Sequence, residues 1–358
     1  MRFDEIFVDD TKNVSRINSK EFKDKGKIAI VDQSKNLIAG YTDVEYPKVC
    51  HDERIIFGDH TRIFKYIDFP FVCGADGTKV LKLIDNDKIS YKYIYYYLLS
   101  SFIPNTGYNR HFKWVKELKF KIPEYDIQLE IVKKLDKTNE LIELKKKQIT
   151  SLNKMIKSQF IEMFGDLEKN SKGYEIKSMS EIAKYWNGLT YKPSEVCETG
   201  TIVLRSSNIQ DSVLDYNDIV RVNSNIADKK YVKENDILMC SRNGSAKLVG
   251  KVALIPKSME KMAFGAFMMV IRSDYYPYLY LYFQTNAFRK QIVSGATTTI
   301  NQITTNIMNN VKLPIPKKSE VNKYNEFLKQ AEKQKYYLEE SLKKLEELRS
   351  ALMQEYFG

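Results

Sequence analysis

The sequence predicts an α+β chain in which two mixed, strand-rich domains are separated by an antiparallel pair of long helices related by an approximate two-fold axis. Three observations predict it. First, residues 122 to 165 recur at 315 to 358: a constant offset of 193 places Ile122, Pro123, Leu135, Glu162, Phe164 and Gly165 on Ile315, Pro316, Leu328, Glu355, Phe357 and Gly358 without a gap, which is an internal repeat. Second, each copy carries residues of mostly apolar character at three- and four-residue spacing over several heptads. Neither copy has a Gly or Pro after its opening Pro and before its closing Gly, the signal of a long coiled-coil helix. Third, each copy is preceded by short strand-like runs that give way to a tyrosine-rich helical stretch.

Taken in order, residues 1–121 form the first domain. KIAIVD, RIIFGDHT and FVCGADGTKVLKLI read as strands, and YKYIYYYLLSSF as a helix. The rings of Tyr91, Tyr93, Tyr95, Tyr96 and Tyr97 suit core packing better than base stacking. Residues 122–166 form the central repeated helix, with a seam of Ile131, Leu135, Thr138, Ile142, Lys145, Ile149, Leu152, Ile156, Gln159 and Met163. Residues 167–314 form the second domain: a cap at SMSEIAKYW, strands at TIVLRSSNI, DILMCSR, KVALI and AFMMVIR, then the aromatic stretch YYPYLYLYFQ. Residues 315–358 form the C-terminal repeated helix, with a seam of Tyr324, Leu328, Ala331, Lys335, Leu338, Leu342, Leu345, Arg349, Leu352 and Tyr356. Polar seam positions of one copy match apolar ones of the other, Lys145 with Leu338 and Arg349 with Ile156, so the two helices suit each other.

The direction of the pair follows from lengths. Roughly 38 helical residues reach about 57 Å, while a compact domain of the intervening size has a radius of gyration of only about 15 Å. The second domain is therefore expected not to carry the chain back along the whole first helix. That makes the helices antiparallel, with one domain at each end.

The formal net charge is +11, and its distribution decides more than its size: +4 over residues 1–123 and +6 over 167–316, against 0 and +1 over the two helical stretches. A basic surplus on both domains suits an extended polyanion better than a small ligand. MRFDEIFVDD is acidic and lacks the apolar core of a signal peptide, and no stretch approaches the roughly 20 apolar residues that cross a bilayer. A cytoplasmic protein with no membrane partner is expected. Cys50, Cys73, Cys197 and Cys240 are scattered with no CxxC pair, which reads as reduced thiols rather than a metal site or disulfides. His51, His60 and His111 have no metal spacing. Gly-rich phosphate loops and the Asn/Asp-Pro-Pro-aromatic patch of amino-methyltransferases are missing, and the Glu-x-Lys tripeptides at Glu21, Glu143 and Glu175 have no Pro-Asp beside them. No catalysis and no metal are expected of this chain.

In this order and duplication, the Ile-Pro start of each helix, the FIEMFGD and MQEYFG ends, RIIFGDHTR followed by FVCGADGTKVL, and DILMCSRNG resemble the DNA-specificity subunits of type I restriction-modification systems. The resemblance covers essentially the whole chain. It implies two target-recognition domains, each reading a few base pairs of double-stranded DNA, and helices that set the unread gap between half-sites. It also implies partners: two methyltransferase subunits that bind S-adenosylmethionine and methylate an adenine at N6 in each half-site, and restriction/translocase subunits that use ATP with Mg. The cofactors sit in those partners and none in this chain. The outer helix surfaces and the helix ends near Phe164 and Phe357 are the implied docking area for the methyltransferases. The alternatives are a specificity subunit of a modification-only methyltransferase and, in a different class, a coiled-coil structural adaptor that binds proteins. An adaptor gives no reason to segregate the surplus charge into the two domains.

Base reading needs donors and acceptors on loops that enter a groove, Arg or Lys for guanine and Asn or Gln for adenine being the commonest pairings. In the first domain the loop TGYNRHFKW offers Tyr108, Asn109, Arg110, His111 and Lys113. Its counterpart before the second helix, TTTINQITTN, offers Thr298, Thr299, Asn301, Gln302 and Thr304. A second group is His60, Thr61 and Arg62, matched by Ser241, Arg242, Asn243 and Ser245; a third, Arg205, Ser206, Ser207 and Asn208, exists clearly only in the second domain. Lys65, Lys79 and Lys247 are candidate phosphate contacts. The plainer reading of all of these is turn and cap residues that satisfy local backbone, with solvated lysines around them.

Overall fold

The computed structural model describes residues 1–44, 46–74, 76–258, 260–294 and 302–358. These form two compact units, Met1–Lys147 with Glu339–Gly358, and Gln148–Leu338. The fold is mixed helix and strand. No helix among the described residues is long and apolar enough to cross a membrane.

In chain order the first unit contains α1 (Phe3–Ile6), β1 (Phe7–Asp9), β2 (Ile28–Val31), β3 (Gly40–Thr42), β4 (Arg54–Gly58), β5 (Phe64–Ile67), β6 (Phe71–Cys73), β7 (Thr78–Leu83), α2 (Tyr91–Ser100), α3 (Phe112–Lys116) and the first part of α4 (Tyr125–Phe164). One sheet has the order β1-β7-β4-β5 with antiparallel neighbours, and a smaller one the order β3-β2-β6, in which β2 and β6 run parallel. β4 reads as an unbroken apolar run because both of its faces are covered. Ile55 and Phe57 enter a core with Ile94, Phe112 and Val115, while Ile56 enters another with Val31, Phe71 and Val80.

The second unit contains the rest of α4, then β8 (Glu175–Ser178), α5 (Met179–Ile182), β9 (Lys184–Asn187), β10 (Val196–Cys197), β11 (Thr201–Leu204), β12 (Ile209–Gln210), β13 (Val213–Leu214), β14 (Val220–Val222), β15 (Ile237–Cys240), β16 (Val252–Leu254), β17 (Met262–Phe264), β18 (Met268–Arg272), α6 (Tyr276–Tyr282), α7 (Asn286–Ser294), α8 (Thr305–Asn310), β19 (Lys312–Ile315) and the first part of α9 (Lys318–Phe357), whose remainder belongs to the first unit. Its sheets have the orders β16-β15-β18-β9 and β10-β14-β11-β17, with β11 and β17 parallel. β1, β7, β4 and β5 of the first unit thus correspond to β9, β18, β15 and β16, and the parallel pair β2 and β6 to β11 and β17. β15 again divides its residues between two cores, Ile237 and Met239 facing one and Leu238 and Cys240 the other.

Both long helices are unbroken for 40 residues. Tyr125 and Lys318, which begin them, and Phe164 and Phe357, which end them, are repeat equivalents. In α4 every expected seam residue is buried or half-buried. In α9 the same holds except at Arg349, which is exposed. Within the first unit Ile131, Val132 and Leu135 near the start of α4 pack with Leu352, Met353 and Phe357 near the end of α9. Within the second, Ile156, Phe160 and Phe164 near the end of α4 pack with Val321, Tyr324 and Leu328 near the start of α9. In each unit the helices therefore run antiparallel.

The aromatic helices are core elements. Tyr93 of α2 is buried and donates its hydroxyl to the Lys121 carbonyl at 3.0 Å; Tyr278 of α6 donates to Pro314 at 2.6 Å. Lys121 and Pro314 are repeat equivalents just before the Ile-Pro element, so one tyrosine in each unit fixes the approach to a long helix. Burial pushes the Tyr93 phenol up to about 12, and the hydroxyl stays a donor at neutral pH.

Candidate nucleic-acid interface

In the first unit the turn after β4, the turn between β6 and β7, and the loop before α3 are joined through one residue. Asp59 is buried; its carboxylate accepts the Phe112 N–H at 2.7 Å, and its carbonyl accepts the His111 N–H at 2.9 Å. Its own N–H donates to the Gly77 carbonyl at 2.7 Å. A carboxylate at the first turn of α3 also suits the local dipole. Gly77 has φ +82, and a Cβ there would meet the His60 ring at 2.9 Å. Gln33 adds the next loop, accepting the His60 N–H at 3.2 Å and donating to the Asp76 carbonyl at 2.8 Å.

His60 and Tyr108 stack, with ring centroids 4.9 Å apart and 10° between planes, and Tyr108 is 90% exposed. The Nδ1 of His60 is buried with no hydrogen-bond partner. Thr61, Arg110 and Lys113 are exposed, and Lys113 lies over the Trp114 ring at 4.8 Å. The Asn109 side chain donates to the Thr106 carbonyl, which closes the loop on itself. Arg62, at φ +61, is half-buried and donates to the Ile103 carbonyl at 3.2 Å. Lys79 is half-buried and pairs with Asp9 at 3.3 Å.

Three sequence expectations need correction here and in the second unit. Lys65 is 4% exposed; its ammonium donates to the Asp32 carbonyl at 2.7 Å and to that of Asn36. Burial holds its pKa below the ordinary lysine value, and it ties the loop after β2 in place instead of standing free for phosphate. His111 is fully buried, its ring against the Asp59 carbonyl at 2.9 Å and Thr106 at 3.3 Å, so it orders the loop from within. Asn208 is fully buried as well, accepting the Arg205 N–H at 2.8 Å and donating to the carbonyls of Asp215 at 2.9 Å and Asp218 at 3.0 Å. A buried amide with these partners is a turn-former.

The second unit brings its distant candidates together in the same manner. The Asn243 amide donates to the Ser206 hydroxyl at 3.2 Å and its oxygen accepts the Ser245 N–H at 3.0 Å. Arg242 pairs with Gln302 in an antiparallel bridge, and the adjacent Ile303 N–H donates to the Ser241 carbonyl at 2.7 Å. Arg242, Ser245, Lys247 and Gln302 are exposed; Ser207 is half-buried. Arg205 forms an ion pair with Asp218 at 2.9 Å. Thr304 caps α8, its hydroxyl accepting the Ile307 N–H at 3.2 Å. Thr298, Thr299 and Asn301 lie outside the described residues.

Sequence reasoning missed Asp59, Gln33, Lys116 and Phe267. Lys116 is exposed on α3 one turn from Lys113, 5.1 Å from the Phe112 ring centroid. Phe267 occupies the turn between β17 and β18, and FGAFMM there aligns with CGADGT between β6 and β7. That alignment was the available signal.

A family model described as "Type I restriction modification DNA specificity domain" matches residues 1–154 and 171–349. The specificity subunit of the type I restriction enzyme EcoR124I/EcoR124II of Escherichia coli is 29% identical over 203 residues, 52% of this chain and 49% of that protein. That of StySPI from Salmonella potsdam is 26% identical over 198 residues, 52% of this chain and 42% of that protein. The chain spans about half the length of these curated relatives. Among solved structures, the S subunit of a type I restriction-modification system from M. genitalium superposes with a TM-score of 0.66 at 16% identity, covering 100% of this chain and 95% of that one. A chain from a type I restriction-modification assembly superposes at 0.52 and 16% identity, covering 98% and 97%. These two share the fold.

Proposed function

Because this chain belongs to the family of type I restriction-modification DNA specificity domains, we propose that it is the sequence-reading subunit of such a complex and binds a bipartite duplex target. Each unit reads one half-site through its clustered loops, and α4 and α9 fix the gap between halves. Two methyltransferase subunits carrying S-adenosylmethionine dock on it and methylate an adenine at N6 in each half. Restriction/translocase subunits, using ATP with Mg, cut DNA that lacks the mark. Chemistry belongs to the partners, and this chain works in the cytoplasm as the reader. The domain limits that go with this reading are 1–121 and 167–314 for the two recognition domains and 122–166 and 315–358 for the helices.

The observation that carries the proposal is the convergence, in each unit, of loops far apart in sequence onto one strand plan with different side chains. Asp59 joins three loops in the first unit; Asn243, Gln302 and the Phe267 turn meet in the second. Rigidly held polar loops are what direct readout requires. The surplus charge on 1–123 and 167–316 supplies the sequence-independent part of affinity.

The test is duplex binding by the full chain with its methyltransferase at several salt concentrations. With roughly six phosphates neutralised, log affinity falls against log salt with a slope near −5. Substituting Lys113, Lys116 and Lys247 together with Ala flattens the slope by about two to three and weakens all sequences alike. A salt-independent affinity, or none above that of an unrelated acidic polymer, rejects the reading.

A further inference from the structure

Within the second unit a solvent-open hollow of ≈470 Å³ is lined by Ser206, Arg242, Asn243, Gly244 and Phe267. Phe267 is 57% exposed, although its chain neighbours Met268 and Met269 are buried in the core. It is nonetheless held firmly. Its carbonyl accepts three hydrogen bonds, from the Ser241 N–H at 2.9 Å, the Arg242 N–H at 3.0 Å and the Ser241 hydroxyl at 2.9 Å. The backbones of Phe267 and Arg242 are therefore locked to each other before anything binds.

The Arg242 guanidinium lies 5.2 Å from the Phe267 ring centroid, a cation–π contact that limits where its donors point. The other arginines of this unit are already engaged: Arg205 with Asp218, Arg221 with Glu260, Arg272 with Asp236, and Arg289 with the Val249 and Ala246 carbonyls. Among the described residues Arg242 forms no ion pair. It is exposed and, with Phe267 as an aromatic wall, lines the hollow.

We infer that Arg242 and Phe267 act as one reader of a two-base step, Arg242 taking the N7 and O6 of a guanine while the Phe267 ring receives the 5-methyl group of the adjacent thymine. The inference rests on the DNA-reading proposal and adds its chemistry. Guanine's paired acceptors match a guanidinium fork, and the thymine methyl is the apolar feature of the major groove. The equivalent turn of the first unit carries Asp76, whose carboxylate pairs with Arg16 at 2.6 Å. The two units thus present different chemistry at the same backbone position, a paired carboxylate in one and an exposed aromatic ring in the other.

The target is first mapped by sequencing N6-methyladenine made by the intact chain with its methyltransferase. Duplexes are then scanned with single dT to dU and single dG to 7-deazaguanine replacements. Loss of one methyl contact weakens binding of the unaltered protein about three- to fivefold at one thymine beside a guanine in the half-site of this unit. Phe267→Ala removes that dU sensitivity and leaves the dG sensitivity next to it; Arg242→Ala removes the latter. Phe267→Leu, which keeps an apolar contact, retains part of the dU penalty. Sequence-dependent binding with no dU penalty in that half-site, or a penalty unchanged in Phe267→Ala, overturns this inference alone. Absence of any sequence-dependent binding overturns the DNA-reading proposal and this inference with it.

Discussion

Replacing Phe164 with Ala destabilises the unit Gln148–Leu338 by about 3–5 kcal/mol, and the same change at Phe357 costs the other unit distinctly less. The repeat makes the two residues equivalent, but their surroundings differ. Phe164 is 1% exposed and its ring meets those of Phe160, Tyr278 and Tyr324 at 5.0, 5.1 and 5.4 Å. Removing it empties a cavity between three rings that cannot close over it. Phe357 is half-buried against Tyr93 and Tyr97 at 5.4 and 5.6 Å, where solvent fills part of the space. The chain has two tryptophans, and Trp114 falls in the first unit and Trp186 in the second. Urea unfolding of Trp114→Phe and Trp186→Phe backgrounds reads each unit separately. Equal midpoint shifts for Phe164→Ala and Phe357→Ala are the result this packing does not allow.

The second large effect is expected at Asp10. Its carboxylate accepts from Arg54 Nε at 3.0 Å and from the Asn13 amide at 2.7 Å, and both members of the ion pair have side chains less than a tenth exposed, 9% and 7%. Asp10→Ala removes the buried counter-charge of the guanidinium and leaves it, among the described residues, the Glu53 carbonyl at 2.8 Å and the exposed Asp52 carboxylate at 3.7 Å. Stranding one partner of a buried pair costs about 3–5 kcal/mol. The loss is expected in the Trp114 transition, with the Trp186 transition unmoved. Exchanging both partners for apolar residues of similar volume, Asp10→Leu with Arg54→Met, recovers most of the loss, because the cost lies in the unpaired charge and not in the missing attraction. Failure of the double variant to recover assigns the effect to lost geometry in the turn Thr11–Asn13 instead.

The long helices were legible because their signal is local and repeated: the seam spacing, the Ile-Pro starts and the Phe-Gly ends all lie within one element. Arg349 is the exception, exposed where periodicity placed it inward, since a long basic side chain reaches water from a flank. β4 and β15 were legible as apolar runs, and the tyrosine stretches as core helices. The candidate interface was less legible because the contacts that order its loops join residues far apart in the chain. Asn208, Lys65 and His111 have residue types that suit base or phosphate contact, yet each spends its polar atoms on neighbouring backbone. Phe267 has the opposite mismatch, an apolar type inside a strand-like run that the turn leaves facing solvent. Residue type alone does not distinguish a loop's brace from its reading edge; the hydrogen-bond partners do.

The central claim is that α4 and α9 together set the gap between two half-sites. Deleting one heptad from each, residues 145–151 and 336–342, keeps both seams in register and shortens each helix by about 10 Å. Mapping N6-methyladenine made by this variant with its methyltransferase tests the claim most directly. The expected motif keeps both half-sites and has a gap shorter by at most about three base pairs; a motif modified with its original gap contradicts the account.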